Sequence, residues 1–170
     1  VRLTDPLARL DVGAVAKGYA VEQVCRSAPA GLLVSVGGNV RATGPKPEGD
    51  APWVVGVQKP DGEKQDYLHT LYVSDSSVVS SGDYQRYYTV DGVRYHHIID
   101  PETLRPGTLW RAVTVVCPDS GLADGLSTAL FLLPREEGED LAQRCGAQAM
   151  WVAEDGTLSY TGDFLEAVRT

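Results

Sequence analysis

Two histidines stand side by side within "VRYHHIID", residues 93–100, a run of valine, tyrosine and isoleucine that is typical of a strand. Imidazole is the side chain best suited to accept or donate a proton near neutral pH. Neighbouring side chains in a strand point to opposite faces, so only one of His96 and His97 can face a given site. Taken alone, these residues favour a simpler interpretation, in which both are half-buried strand histidines.

A carboxylate and two hydroxyls share one face of an apolar segment at 121–133. Asp124, Ser127 and Thr128 have helical spacing, while leucines occupy the opposite side, so little of this helix is left to face water. A buried carboxylate needs a cation or a hydrogen-bond donor, and these oxygens are hard ligands that suit Mg²⁺. The alternative is an aspartate that caps the helix or faces solvent, with both hydroxyls bonded back to the helix.

An acidic and a basic residue mark the start of "LDVGAVAKGYA", residues 10–20. Asp11 precedes a predicted helix and is interpreted most simply as its N-cap. Lys17 opposes the helix dipole near the N-terminus, so an anionic partner would explain it, although its ammonium could instead extend to water. The Gly37-Gly38-Asn39 stretch is either a plain turn or a loop whose amides approach a ligand.

The composition narrows the class of protein. The chain has 170 residues, a net charge of −8 and a pI near 4.8, which argues against nucleic-acid binding because no basic patch is available to phosphates. Three cysteines far apart in the sequence suggest neither a disulfide framework nor a zinc site. No apolar run has the length of a transmembrane segment.

The elements that must position these residues are helices and hairpins. The patterns predict helices at 14–27 and 121–133, a surface helix at 136–146, and strands between and after them, with Asp91-Gly92 as a two-residue hairpin turn. Because the strands come mostly as hairpins, we expect one α+β domain over residues 1–170, built on antiparallel sheet with packed helices.

Four stretches together resemble one family: "LDVGAVAKGYA", "SVGGNVRATG", "VVSSGDYQRYYTVDGVRYHHIIDPETLRPG" and "ADGLSTALFLL". In this order they are similar to the FAD:protein FMN transferases, the ApbE family. The resemblance implies a T-fold-like α+β fold and Mg²⁺-dependent transfer of FMN from FAD to a Thr or Ser hydroxyl of an acceptor flavoprotein, with release of AMP. The acceptor would carry a flavinylation motif around that hydroxyl.

The resemblance also implies roles for individual residues. His97, rather than His96, matches the active-site histidine. The positions that match nucleotide contacts are Asp11, Lys17 and Ile99. Those that match metal ligands are Ala14 (through its backbone carbonyl), Asp124, Ser127 and Thr128, with Ser127 standing where some members have an aspartate.

The chain departs from the family in its short beginning. Only ten residues precede Asp11, whereas family members carry a long segment there with further FAD contacts. We therefore expect a C-terminal portion that binds FAD weakly unless that segment is supplied, and an extracytoplasmic location through an N-terminal anchor, with the cytoplasm as the alternative. Two other functions stay open: a Mg²⁺-dependent FAD pyrophosphatase, and a non-catalytic flavin-binding remnant.

Overall fold

The computed structural model describes residues 2–63 and 65–169. The helices are α1 (Gly13–Ser27), α2 (Ser120–Leu132) and α3 (Arg135–Arg144), followed by a short 3-10 helix (Phe164–Ala167). The strands are β1 (Leu33–Val36), β2 (Asn39–Ala42), β3 (Trp53–Gln58), β4 (Tyr67–Val73), β5 (Ser77–Gly82), β6 (Tyr87–Val90), β7 (Val93–His96), β8 (Ile99–Asp100), β9 (Arg105–Pro106), β10 (Ala112–Cys117), β11 (Gln148–Val152) and β12 (Leu158–Tyr160).

A six-stranded antiparallel sheet forms the middle layer, in the order β1-β2-β5-β10-β11-β12. The pairs β3–β4, β6–β7 and β8–β9 each form a separate two-stranded antiparallel sheet. The expected α+β architecture with antiparallel sheet is confirmed. The hairpins could be predicted locally, whereas the β2–β5 and β5–β10 pairings join segments that are distant in the sequence.

Every residue of β10 is buried, because both faces of the central sheet are covered. Val113 and Val115 belong to the core under the helices, which also contains Leu130, Phe131 and Trp151. The alternate residues Ala112 and Val116 belong to a second core under the β3–β4 hairpin. The period-two alternation of a strand thus produces three layers: helices, sheet and hairpin.

The sequence patterns locate α1 and α2 to within one residue. α2 ends before Pro134, which cannot continue a helix, and Asp119 caps its start by accepting a bond from the Leu122 N–H at 2.8 Å. Asp11 is not the N-cap of α1, since Val12 holds that position. The Asp11 carboxylate instead accepts a bond from the Gly13 N–H at 2.7 Å.

The strand predicted across "VRYHHII" is interrupted. β7 ends at His96, and pairing resumes only at Ile99, because Ile98 turns into the core, where it is 4% exposed. The predicted Asp91-Gly92 turn joins β6 to β7, and both of its residues have positive φ, as a type I′ hairpin turn requires. Among the helices of residues 2–63 and 65–169, none combines the length and apolarity needed to cross a bilayer.

Candidate functional site

The crossing of α1 and α2 builds the centre of the site. Gly18 of α1 packs so closely on α2 that a Cβ there would lie 2.2 Å from the Ser120 carbonyl oxygen and 2.5 Å from Asp124 Cβ. The Gly18 N–H therefore reaches the Asp124 carboxylate and donates to its Oδ2 at 2.8 Å. This close contact needs a glycine, because any larger residue would separate the helices.

Asp124 is a buried anion held by two donors. The residue is only 3% exposed, and its Oδ1 lies 3.2 Å from the Lys17 ammonium, which also donates to the Gly13 carbonyl at 3.2 Å. The Lys17 side chain is about one-third exposed, at 34%. Asp124 and Lys17 thus form a partly desolvated pair, and both residues line a cavity.

The cavity above this pair, here called the Asp124 cavity, has a volume of about 430 Å³. It collects seven of the eight residues that the sequence selected: Asp11, Ala14, Lys17, His97, Ile99, Asp124 and Thr128. The structure does not bring the eighth residue, Ser127, to the cavity. Its hydroxyl is fully buried, lies 2.8 Å from Ser81 Oγ, and donates to the Asp124 carbonyl at 2.9 Å.

His97 also lines the Asp124 cavity. Its Nδ1 lies 3.3 Å from the Arg86 carbonyl, which can only accept, so Nδ1 carries the proton and Nε2 keeps its lone pair in the neutral ring. Burial lowers the pKa of His97, the Arg86 carbonyl partly offsets this, and the charges of Arg86 and Lys17 lower the pKa further. The imidazole is therefore neutral near pH 7 and able to accept a proton.

His96, in contrast, is a buried residue that stabilises the fold. It is 8% exposed, its Nε2 donates to the Gly107 carbonyl at 2.8 Å, and its Nδ1 accepts from the Ile98 N–H at 3.3 Å. Its ring also contacts Phe131 edge-on, with centroids 5.5 Å apart. His96 thus ties the bend after β7 to the loop at Gly107 and fixes the backbone from which His97 projects.

The pKa of His97 can be measured directly. In a ¹H–¹³C NMR titration we expect the His97 ring signals to titrate with a midpoint below the ordinary histidine value of about 6.5. The pKa of His97 is lowered because its surroundings disfavour the charged ring. A His97 midpoint above 7 would contradict the assignment of a neutral base.

A second cavity of about 750 Å³ adjoins the first and is here called the tyrosine groove. It lies between the β6–β7 hairpin and segment 99–106, and it shares His97, Arg86 and Ile99 with the Asp124 cavity. The residues specific to its walls include Tyr87, Tyr88, Tyr95, Leu104 and Arg105. One imidazole therefore stands between two cavities.

Four charged side chains anchor the β6–β7 hairpin to the rest of the fold. Arg94 of β7 contacts Asp61 at 3.1 Å and Asp83 at 3.4 Å. Arg111, just before β10, contacts Asp83 at 2.8 Å and also pairs with Asp61. This network and the His96–Gly107 bond hold the hairpin that carries Arg86 at its base, so they determine where His97 stands.

Sequence analysis missed several polar groups of the site. Gln85 and Arg86 line the Asp124 cavity but lie in a strand-like run whose pattern marks neither as special. Asn39, which follows the Gly37-Gly38 turn, is fully buried and accepts from the Ser120 hydroxyl at 2.5 Å, while its Nδ2 has no partner among the residues that the structure describes. The Gly37-Gly38-Asn39 stretch was a sequence signal for this region, but it indicated only main-chain amides and not the Asn39 side chain.

Comparison with known proteins now assigns the chain and its fold to a family. The model of the ApbE family matches residues 1–151, most of the chain. The chain belongs to the ApbE family. Among curated relatives of this ApbE-family chain, the FAD:protein FMN transferase of Treponema pallidum is 36% identical over 183 residues, a match that covers 99% of this chain and 50% of the relative. That of Klebsiella pneumoniae is 36% identical and covers 91% and 49%.

Solved structures of the ApbE family have the same fold. The Thermotoga maritima ApbE protein superposes with a TM-score of 0.87 at 37% identity, covering 95% of this chain and 54% of its own. The apo form of the Pseudomonas stutzeri flavinyl transferase ApbE gives 0.73 at 34% identity, covering 94% and 51%. The chain thus spans about half the length of the relatives that it matches.

Proposed function

We propose that this chain binds FAD and takes part in transferring FMN to a Thr or Ser hydroxyl of an acceptor flavoprotein. The observation that carries the proposal is the meeting of His97, Lys17 and Asp124 at one cavity. A proton acceptor and a cation are groups that assist displacement at a phosphorus, and a carboxylate can hold the cation in place. The printed names of the Treponema and Klebsiella relatives support the same reaction class.

The proposed step is balanced. The acceptor hydroxyl oxygen forms a bond to the phosphorus on the FMN side of the FAD pyrophosphate, the bond from that phosphorus to the bridging oxygen breaks, and AMP leaves. The hydroxyl proton passes to Nε2 of His97, whose Nδ1–H is already fixed on the Arg86 carbonyl. The Lys17 ammonium neutralises charge on the phosphate oxygens, because Lys17 lines the cavity and its side chain is one-third exposed.

A hard cation such as Mg²⁺ fits the oxygen set of the Asp124 cavity. Asp124, Thr128 and Ala14 all line it. They can offer a carboxylate, a hydroxyl and a main-chain carbonyl, and each carboxylate oxygen can accept more than one bond. Among the described residues no three His, Cys, Asp or Glu side chains cluster to hold a metal, so this cation would depend on mixed oxygens and on the nucleotide. When bound, it would supply charge stabilisation to the pyrophosphate.

Water could replace the acceptor hydroxyl at the same site, which would make the chain an FAD pyrophosphatase. The test is incubation with FAD, Mg²⁺ and a flavin-free acceptor flavoprotein, followed by mass spectrometry for added FMN and chromatography for AMP. Transfer predicts equal amounts of both products. AMP without an FMN adduct would indicate hydrolysis. The absence of both products would contradict the proposal.

The chain should be assayed alone and fused to the part of the Thermotoga maritima relative that it does not cover. We expect FAD to bind the chain alone weakly and the fusion more tightly, since a pocket that buries more of a ligand positions it better. Isothermal calorimetry gives both affinities. Equal and tight binding by the two forms would show that the additional segment contributes no FAD contacts.

Asp124→Asn should lower the Mg²⁺-dependent affinity for FAD by about tenfold or more, the equivalent of at least ~1.4 kcal/mol. The amide oxygen can still accept from Gly18 N–H, so the fold should persist, while the anionic ligand is lost. The measurement is FAD calorimetry with and without Mg²⁺. Asp119→Asn is the matched control, because it changes the cap of the same helix outside the cavity. An unchanged Mg²⁺ dependence would exclude Asp124 as a ligand.

A further inference from the structure

Arg86 lines the Asp124 cavity, but its side chain has no part in the step proposed above. The residue is exposed, lies immediately before β6, and also lines the tyrosine groove. Its main-chain carbonyl already has a role, because it accepts a bond from Nδ1 of His97 at 3.3 Å. The guanidinium group of Arg86 is therefore a cation of the site without an assigned function.

The positive charge of Arg86 acts on the His97 ring. Burial is the main reason that the pKa of His97 is lowered, and the charges of Arg86 and Lys17 lower it further. Interactions between charges weaken with distance and are screened by solvent, so both cationic groups lie near the imidazole. The proton acceptor of the proposed step thus has two cations in its neighbourhood.

The two cations of the cavity differ in how they are paired. The Lys17 ammonium lies 3.2 Å from the buried Asp124 carboxylate, so part of its charge is already offset. Arg86 takes part in none of the ion pairs in the part of the chain that the structure describes. Asp11 and Asp124 balance the two cations, so an anionic pyrophosphate needs further positive charge, and the guanidinium group is available to face it.

An arginine is well suited to a phosphate that is being transferred. The guanidinium group is planar, and its forked donors can contact two phosphate oxygens at once. In the transition state of phosphoryl transfer, negative charge is spread over the non-bridging oxygens, and an arginine that contacts them accelerates the reaction. A contact that strengthens as this charge develops raises the turnover number more than it raises the affinity for the substrate.

We propose that Arg86 is a further catalytic residue of the Asp124 cavity, whose guanidinium group contacts the non-bridging oxygens of the phosphate transferred from FAD and stabilises their charge as the acceptor hydroxyl attacks. The inference rests on the proposed function, because it adds a residue to the same reaction. Arg86 thereby acts twice, through its carbonyl on the tautomer of His97 and through its side chain on the phosphate. A side-chain substitution removes only the second action.

Arg86→Gln should lower the turnover number of FMN transfer by about 10²- to 10³-fold, the usual effect of removing one donor that stabilises charge in a transition state. FAD affinity should fall by less than about tenfold, because the contact is strongest in the transition state. Arg86→Lys keeps the charge but loses the fork, so it should recover roughly tenfold of the lost rate. Single-turnover transfer at about pH 8, where His97 is neutral, measures the rates, and calorimetry measures FAD affinity.

Arg144→Gln is the matched control for this substitution. Arg144 is an exposed arginine of α3 that pairs with Asp140 and lines neither cavity of the site, so the variant should transfer FMN at the wild-type rate. A wild-type rate in Arg86→Gln would overturn the proposal. A lower FAD affinity with an unchanged turnover number would also overturn it, because Arg86 would then hold FAD without assisting the transfer.

NMR titration with inorganic pyrophosphate tests the contact without turnover. In the ¹⁵N-labelled chain, the side-chain Nε–H signal of Arg86, identified by its absence in Arg86→Gln, should shift as pyrophosphate binds. The signal of Arg105, which lines only the tyrosine groove, should stay in place. A shift of Arg105 and not of Arg86 would overturn the proposal. Failure of the proposed function has a different signature: Arg86 would still respond to pyrophosphate, which supports the contact, while the wild-type chain would add no FMN to an acceptor.

Discussion

His97→Asn should lower the turnover number of FMN transfer by about 10²- to 10⁴-fold, the usual contribution of a positioned general base. The asparagine amide can still donate to the Arg86 carbonyl, as Nδ1–H does now. It has no basic nitrogen in the place of Nε2. FAD affinity should change little, because Lys17 and Asp124 of the Asp124 cavity remain. We therefore expect the variant to slow the chemical step and to leave FAD binding nearly unchanged.

Single-turnover assays and FAD calorimetry measure these two effects separately. His69→Asn is the control, since His69 lies on β4, bonds to the Tyr160 hydroxyl at 2.8 Å and lines neither cavity of the site. It should have nearly full activity. The pH profile gives a further check: the acid limb of the wild-type rate, which reports the protonation of His97, should lie below about pH 6.5 and disappear in His97→Asn. Full transfer by the variant would require another base.

Gly18→Ala is expected to be strongly destabilising, although it adds only one methyl group. Alanine normally stabilises a helix interior by about 1 kcal/mol relative to glycine. Here its Cβ would meet the Ser120 carbonyl oxygen at 2.2 Å and Asp124 Cβ at 2.5 Å, so α1 and α2 must separate. Overpacking of this kind costs about 1–3 kcal/mol or more, and it outweighs the helix preference because one of the atoms belongs to the backbone.

The consequence should be visible in stability and in ligand binding together. Each kcal/mol lowers the melting temperature of a chain of this size by about 2–4 °C, which thermal unfolding followed by circular dichroism detects. Separation of the helices also breaks the bond from Gly18 N–H to Asp124 and weakens FAD binding. Gly125→Ala is the matched control on α2, because its Cβ would meet only Val15 Cγ1 at 3.4 Å. If both variants melt alike, the close crossing does not limit the fold.

Local signals in the sequence were sufficient for the elements and for most of the site. The Asp91-Gly92 pair specified a hairpin, Pro134 ended α2, and the polar face of α2 pointed to Asp124 and Thr128. These signals work because turn geometry, helix ending and helical spacing depend on neighbours in the chain. The family resemblance then related His97 to the same site.

What the sequence could not supply depends on contacts between distant segments. Ser127 shares the polar face of α2, but its hydroxyl is used by Ser81, and that contact follows from how α2 packs on β5. Glu22 shows the same limit. The Glu22 carboxylate accepts from the Ser120 N–H at 2.9 Å and pairs with Arg41. From the sequence alone, a glutamate at this position of α1 is predicted to face solvent. Long-range pairing of this kind has no local signature in one sequence.

The two-stranded β6–β7 sheet gives the two sides of the site different local stabilities. Asp124 projects from a helix packed on the central sheet, whereas His97 follows a hairpin whose strands pair only with each other. Opening the hairpin costs only its anchoring contacts and need not unfold the core. Amide hydrogen exchange should therefore be fast in residues 87–96 and slow in β10. On gentle heating, catalysis should fade before the global melt, and it should return on cooling.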